Sequence, residues 1–339
     1  QKGVARSVGV DTSSDFSASS ILSVEGGKKY RVGRELARGG MGTVFQAKDL
    51  NCRRTVAMKV LSKDVQFQVE DLLRFIEEAQ ITSQLEHPNI VPIHELGLDA
   101  DGNVFYAMKY VRGLTLTEVL DDIRRGKQET IDQYPLGRLL TIFQKTCDAV
   151  AFAHSRGVVH RDLKPDNVMI GDYGEVQVMD WGLAKVLRHK AVSTSVNVPV
   201  TKGIDTKDLG QLLSPAPGVD AGVPESIESI RTDKVGSGLR TMSGRVMGTP
   251  GFMAPEQASA GNVDADTRSD IYSLGAILYS VLTLRSSVSG PDIKDVLRKI
   301  INGEIVPPIA YNRASGVDRR EDTASRPDIR PVNLLHCPG

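Results

Sequence analysis

An apolar run with helical spacing, Leu139, Leu140, Phe143, Cys147, Val150 and Ala151, leads into His160-Arg161-Asp162-Leu163-Lys164-Pro165-Asp166-Asn167. The run predicts a mostly buried helix of about five turns. Pro165 cannot continue it, so the charged segment is a loop beside a core. Such a loop is expensive unless its charges have chemistry to perform. The Asp162 carboxylate suits the receipt of a hydroxyl proton, and Lys164 suits neutralisation of charge on a transferred phosphoryl group. Asn167 and Asp180 offer the hard oxygens that magnesium prefers, with Asp180 closing the strand pattern Val178-Met179 ahead of Trp181-Gly182.

A second cluster lies upstream. Leu36-Ala37-Arg38-Gly39-Gly40-Met41-Gly42-Thr43-Val44 sits between two predicted strands, where positions without side chains let backbone N–H groups approach phosphate oxygens. A dinucleotide fold would put such glycines between strand and helix, and a Walker loop would end in Gly-Lys-Ser or Gly-Lys-Thr, which is absent. The glycines alone fit a tight hairpin equally well. Val56-Ala57-Met58-Lys59, however, is a strand that carries a lysine toward the cradle, and the following helix offers Glu78, or alternatively Glu77, as its acid.

These clusters lie in a strand-rich part followed by a larger helical part. Short strands are expected over residues 30–60, around Ile90 to His94 and from Val104 to Tyr110, with a helix through Val69, Leu72, Ile76, Ala79 and Leu85 that stops before His87-Pro88. Further helices are expected from Ser269 to Leu284, almost wholly apolar, and from Asp292 to Ile300, with none after Glu304. Residues 1–28 read as a flexible arm, and Lys190 to Gly244 as a long, mostly disordered insertion. The 339 residues carry 42 basic and 42 acidic side chains, which gives no support for nucleic acid or a membrane surface as partner. No apolar run is long enough to span a membrane. Cys52, Cys147 and Cys337 form no C-x-x-C pair, which argues against a disulfide framework or a zinc site and leaves Cys147 as a small buried hydrophobe. A chain opening on Gln1 is expected to be part of a longer polypeptide.

Glycine loop, strand lysine, helix glutamate, His-Arg-Asp loop with Asn, Asp-x-Gly and Ala254-Pro255-Glu256 occur in this order over about residues 30–304. In this the chain resembles the eukaryotic-type (Hanks-type) protein kinases, and through Gly248-Thr249-Pro250 and Met179 to Lys185 most resembles bacterial serine/threonine kinases of the planctomycete type. The resemblance implies an α+β bilobal fold: a small antiparallel β-sheet N-lobe with one helix (29–109), a hinge (109–113), and a larger, mainly helical C-lobe (114–310) with an activation-segment insertion at 186–247. Residues 311–339 are left as an irregular tail, with the last C-lobe helices missing and the activity of this fragment in doubt.

The same resemblance makes ATP and Mg2+ the cofactors, Lys59 the phosphate lysine, Glu78 its partner, Asp162 the base, Lys164 a support for transfer, and Asn167 and Asp180 the metal ligands. It places adenine between Val44, Ala57 and Met169, Met108 at the back wall, and Tyr110 and Val111 at the hinge. Asp270 would hold the backbone of the catalytic loop. Lys164 and Thr249 resemble the pair that selects serine or threonine in protein substrates. Arg161 resembles a receiver for an activation-loop phosphate, so autophosphorylation through self-association is expected, with Thr232, Ser237, Thr241 and Ser243 the nearest acceptors. The segment is expected in the cytoplasm, any membrane anchor belonging to a longer protein. Ala37, Met58 and Trp181 depart from the commoner residues without removing a reacting group, whereas loss of an arginine partner would leave Glu256 partly unsatisfied. A nucleotide-binding pseudokinase or scaffold and a small-molecule phosphotransferase are the alternative functions.

Overall fold

The computed structural model describes residues 29–61, 69–99, 101–187, 227, 250–259 and 265–314. The expected arm at 1–28, nearly all of the insertion with Thr232, Ser237, Thr241, Ser243 and Thr249, and residues 315–339 lie outside the described residues.

The N-terminal part begins with an antiparallel meander of β1 (Tyr30–Arg38), β2 (Gly42–Asp49) and β3 (Arg54–Leu61). Asp49 ends β2: its carboxylate accepts the N–H groups of Asn51 (3.1 Å) and Cys52 (3.0 Å), closing a turn in which Arg53 takes a φ of 54°. α1 (Val69–Gln84) buries Leu72, Phe75, Ile76 and Ala79, and β4 (Ile93–Leu98) and β5 (Val104–Lys109) complete a sheet of order β1-β2-β3-β5-β4. The two-residue period of β3 divides its side chains between two clusters. Val56 and Met58 join Ala47, Phe105 and Ala107, whereas Ala57 and Leu61 join the α1 side chains. Lys59 falls in the second set by register, so the sheet delivers its ammonium to the helix side.

β4 starts later than the sequence suggests. Pro88 and Pro92 lack N–H donors, and the amides between them are already used, Ile90 to the His87 carbonyl (3.0 Å) and Val91 to the Val178 carbonyl (3.1 Å). Ile90 instead makes an isolated parallel bridge to Val178. This ties the segment after α1 to the second lobe.

That lobe opens with β6 (Gly113–Thr115) and α2 (Leu116–Arg124), which starts on a reciprocal Thr115–Glu118 capping box. α3 (Gln128–Gln133) and α4 (Leu136–Ser155) follow, then β7 (Val158–Val159), one 3₁₀ turn (Pro165–Asn167), β8 (Val168–Gly171), β9 (Val176–Val178) and β10 (Lys185–Val186). α5 (Pro255–Ala258), α6 (Thr267–Thr283) and α7 (Ile293–Asn302) complete it, with β6-β8-β9 and β10-β7 as small sheets. The α+β bilobal architecture expected from the sequence is the one observed.

α6 is central but not uniformly apolar in its contacts: Ser269, Asp270, Ser273 and Ser280 are buried beside Leu274, Ile277 and Val281, while Ile271 stays exposed. The buried hydroxyls bond outward and back along the helix, Ser273 to the Phe252 carbonyl (2.8 Å) and Ser280 to the Ala276 carbonyl (3.1 Å). Ile277, fully buried at 0 % exposure, shares a cluster with Leu139, Ile142 and Trp181. Ile277→Ala should therefore destabilise this lobe by about 2–5 kcal/mol, seen as a lower urea midpoint at unchanged slope.

Two smaller expectations are corrected. Cys147 is only half-buried, packed on the edge of the core. A short helix, α8 (Ile309–Ala314), also lies beyond Glu304, in a second unit that begins at Val306. Pro307 and Pro308 lead into it: their carbonyls accept the Ala310 (2.9 Å) and Tyr311 (3.1 Å) amides, a position where a missing N–H costs nothing.

Candidate active site

Lys59 and Glu78 meet between β3 and α1, Nζ lying 2.8 Å from Oε1 and 2.9 Å from Oε2. Of the two acids the sequence left open on this helix, Glu78 is the partner. A third participant is not obvious in the sequence: Tyr106, opposite Lys59 in the β3–β5 register, donates its hydroxyl to Glu78 Oε1 at 2.7 Å. In an apolar strand a tyrosine reads as core, and only its pairing with a lysine marks it.

Asp180 lies 3.8 Å from the same ammonium, with its side chain 51 % exposed against 2 % for Glu78. Burial disfavours the charged lysine, but the Glu78 and Asp180 charges outweigh it and hold the Lys59 pKa above its ordinary value. Burial, with the Asp180 charge added, pushes the Glu78 carboxyl upward against the pull of Lys59 and Tyr106. One ammonium thus faces two carboxylates, a charge deficit that a cation at the exposed Asp180 would relieve. Gly182 permits this approach. A Cβ there would stand 3.0 Å from Glu78 Oε2 and 3.4 Å from Asp180 Oδ1.

In the loop after β7, Lys164 Nζ donates to Asp162 Oδ2 at 2.7 Å. Asn167 Nδ2 donates to the Asp162 carbonyl (2.8 Å) and to Oδ2 (3.2 Å), which leaves its Oδ1 for a cation. The Asn167 carbonyl accepts the Met179 amide at 2.9 Å, so the loop is tied to the residue before Asp180. Two sets of contacts result, Glu78–Lys59–Asp180 and Met179–Asn167–Asp162, and the chain bond between Met179 and Asp180 joins them.

Asp270, at the start of α6, holds the loop from below. Its Oδ2 accepts the His160 amide and its Oδ1 the Arg161 amide, both at 2.8 Å, and His154 Nε2 meets Oδ2 at 2.7 Å. His154 thus has a partner that the sequence did not name. His160 Nδ1 accepts the Asp162 amide (3.3 Å), so its Nε2 donates to the Met179 carbonyl (3.1 Å). Arg161 (φ 69°) and Asp180 (φ 60°) both occupy the left-handed region, a cost of about 1–3 kcal/mol each that these anchors hold in place.

The glycine segment joins β1 to β2, with Gly39 N–H donating to the Gly42 carbonyl at 2.9 Å. Gly42 has a packing reason: a Cβ there would lie 2.4 Å from the Val60 carbonyl oxygen. Ala37 pairs with Val44 in the ladder and keeps φ out of the positive region, while Arg38 pairs with Glu35 at 2.7 Å. Leu36 is exposed, Met41 half-buried and Thr43 buried. Val44, Tyr110 and Met179 pack on the cluster that contains Ala57 and Met108; Val111 is buried, and Met169 sits half-buried on β8. Trp181 differs from a phenylalanine in more than size, because its indole N–H is buried without a partner among the described residues. Glu256 receives the Ser269 hydroxyl at 2.5 Å and has no cationic partner among the described residues.

A profile of the protein kinase domain family matches residues 30–201. The chain belongs to that family. The kinase domain is 38% identical over 261 residues to the serine/threonine-protein kinase PknD of Protochlamydia amoebophila, covering 76% of this chain and 23% of that protein. It is 34% identical over 262 residues to PknD of Chlamydia felis (76% and 24%) and 35% identical over 260 residues to PknD of Chlamydia muridarum (76% and 25%). The chain thus spans about a quarter of the length of the curated relatives it matches. No helix among the described residues is long and apolar enough to cross a membrane.

Proposed function

We propose that this protein is a serine/threonine kinase that transfers the γ-phosphoryl group of ATP to hydroxyls of protein substrates. The observation that carries this reading is the Lys59–Glu78 pair with Asp180 3.8 Å from the Lys59 ammonium, joined through the adjacent Met179, whose amide the Asn167 carbonyl accepts, to the loop of Asn167 and Asp162. Magnesium fits the side chains present. Among the described residues no three His, Cys, Asp or Glu side chains gather as a metal cage, and a site of one carboxylate and one amide oxygen, completed by phosphates and water, is what this ion accepts. Asn167 and Asp180 would hold it, and when bound it supplies neutralisation of phosphate charge.

In this reading Lys59, kept extended by Glu78 and Tyr106, binds the α and β phosphates, and backbone amides of residues 36–44 cover them. Val44, Ala57, Met108, Tyr110, Val111 and Met169 enclose the adenine. Asp162 orients the acceptor hydroxyl and takes its proton, while Lys164, beside Asp162 Oδ2, lies where charge on the transferred group can be met. Residues 29–310 act as the catalytic domain, and phosphorylation within 186–247, through self-association, is the regulation. A cytoplasmic location suits an ATP-dependent reaction.

Purified protein with magnesium and γ-labelled ATP is expected to place label on serine or threonine of itself or of a general protein acceptor, read by phosphoamino-acid analysis. Nucleotide binding without label in protein would favour the pseudokinase reading. Label on a sugar or antibiotic alone would favour the small-molecule phosphotransferase.

A further inference from the structure

We infer that Gln257, in the first turn of α5, is a positioning residue that fixes the direction of the Asp162 side chain by holding the peptide group before it. This inference rests on the phosphoryl-transfer reading above. Gln257 Nε2 donates to the Arg161 carbonyl at 2.8 Å, and its Oε1 accepts the Ala254 amide at 3.2 Å. The carboxamide therefore uses one donor and one acceptor to join two segments 96 residues apart in sequence. Ala254 has no side-chain acceptor of its own, so Gln257 Oε1 serves as the cap for its amide at the start of this turn.

The Arg161 carbonyl belongs to the peptide unit whose N–H is that of Asp162, and that N–H donates to His160 Nδ1 at 3.3 Å. Both ends of this one plane are thus held, by His160 and by Gln257. Asp270 holds the two preceding amides, those of His160 and Arg161, but makes no bond to the plane that carries Asp162. Arg161 stands in the left-handed region at φ 69°, where the backbone relaxes unless restrained. Rotation of the freed plane would swing the Asp162 Cα–Cβ bond directly, and small errors in the direction of a reacting group are costly.

The chemistry at Gln257 is demanding. A carboxylate in its place would still accept from Ala254 but would set a negative oxygen against the Arg161 carbonyl. Protonation of that carboxyl would restore a donor. Because Gln257 lies on α5, displacement of α5 would also free the peptide plane before Asp162.

The test compares the whole protein with Gln257→Ala and Gln257→Glu. In Gln257→Ala we expect kcat to fall about ten-fold or more while KM for ATP stays within about two-fold, and the Asp162 amide to lose protection from hydrogen exchange. In Gln257→Glu, which keeps the side-chain size and the acceptor but loses the donor at neutral pH, kcat should fall as in Gln257→Ala with KM for ATP again within about two-fold. Unchanged kcat together with unchanged exchange at Asp162 would overturn the inference. So would a wild-type kcat in Gln257→Glu, or a loss expressed equally in ATP affinity. If wild type transfers no phosphoryl group, the kinase reading fails, and exchange alone decides the anchor: deprotection in Gln257→Ala upholds it and unchanged protection removes it.

Discussion

Asp162→Asn is expected to lower the rate of phosphoryl transfer by about 10²–10⁴-fold while ATP affinity changes little. The amide has nearly the same shape, and Asn167 keeps its 2.8 Å bond to the carbonyl of residue 162, so the loop should stay folded. Two things are lost together. An amide cannot take the hydroxyl proton, and Lys164 no longer has the carboxylate it meets at 2.7 Å. Single-turnover rates at saturating ATP, with nucleotide affinity measured separately, isolate the transfer step. A variant within about ten-fold of wild type would remove Asp162 from the role of base.

Lys59→Met should act on stability as well as on activity. Removal of the ammonium leaves the Glu78 carboxyl, 2 % exposed, with only the Tyr106 hydroxyl among the described residues, and breaking a buried pair costs about 3–5 kcal/mol. The effect should depend on pH, and its sign follows from the direction of the carboxyl shift. Burial already holds Glu78 above its usual value of 4.5, and without Lys59 it rises further. The folded variant then binds a proton that the unfolded chain has released. Its stability is thus highest at acid pH and falls as pH rises above about 4.5 toward the folded pKa. Urea melts across this range provide the measurement. Adding Glu78→Gln should restore most of the stability and none of the transfer, which separates the ion pair's structural effect from its catalytic one. A single variant as stable as wild type at neutral pH would contradict the burial argument.

The reacting groups were legible because chemistry restricts which side chains can perform it, and because Pro165 and the glycines mark where the backbone must turn. Lys59 could be assigned to the helix side of its sheet only once the β3 register was known, yet period-two alternation already separated it from Val56 and Met58. What escaped depends on contacts distant in sequence. Tyr106 is chosen by its place opposite Lys59, and His154 by a helix more than a hundred residues later. The left-handed backbone at Arg161 was invisible for a different reason: arginine does not favour it, and the restraint comes from Asp270, whereas at Asp180 the residue type permits it without requiring it. The helix beyond Glu304 escaped because proline, here Pro307 and Pro308, serves both to end a helix and to begin one.

Among the described residues the outermost strand of the N-lobe sheet, β1, is paired on one side only, and its register against β2 slips twice, between Val32 and Glu35 and between Glu35 and Ala37. Arg31, Arg34, Glu35 and Arg38 are spread along it and stay exposed. A straight, apolar rim would recruit strands from other molecules at high concentration. The kinks and charges of β1 deny them a matching template, so the lobe that receives nucleotide is kept from stacking into ribbons by the same strand that leads into its glycine turn.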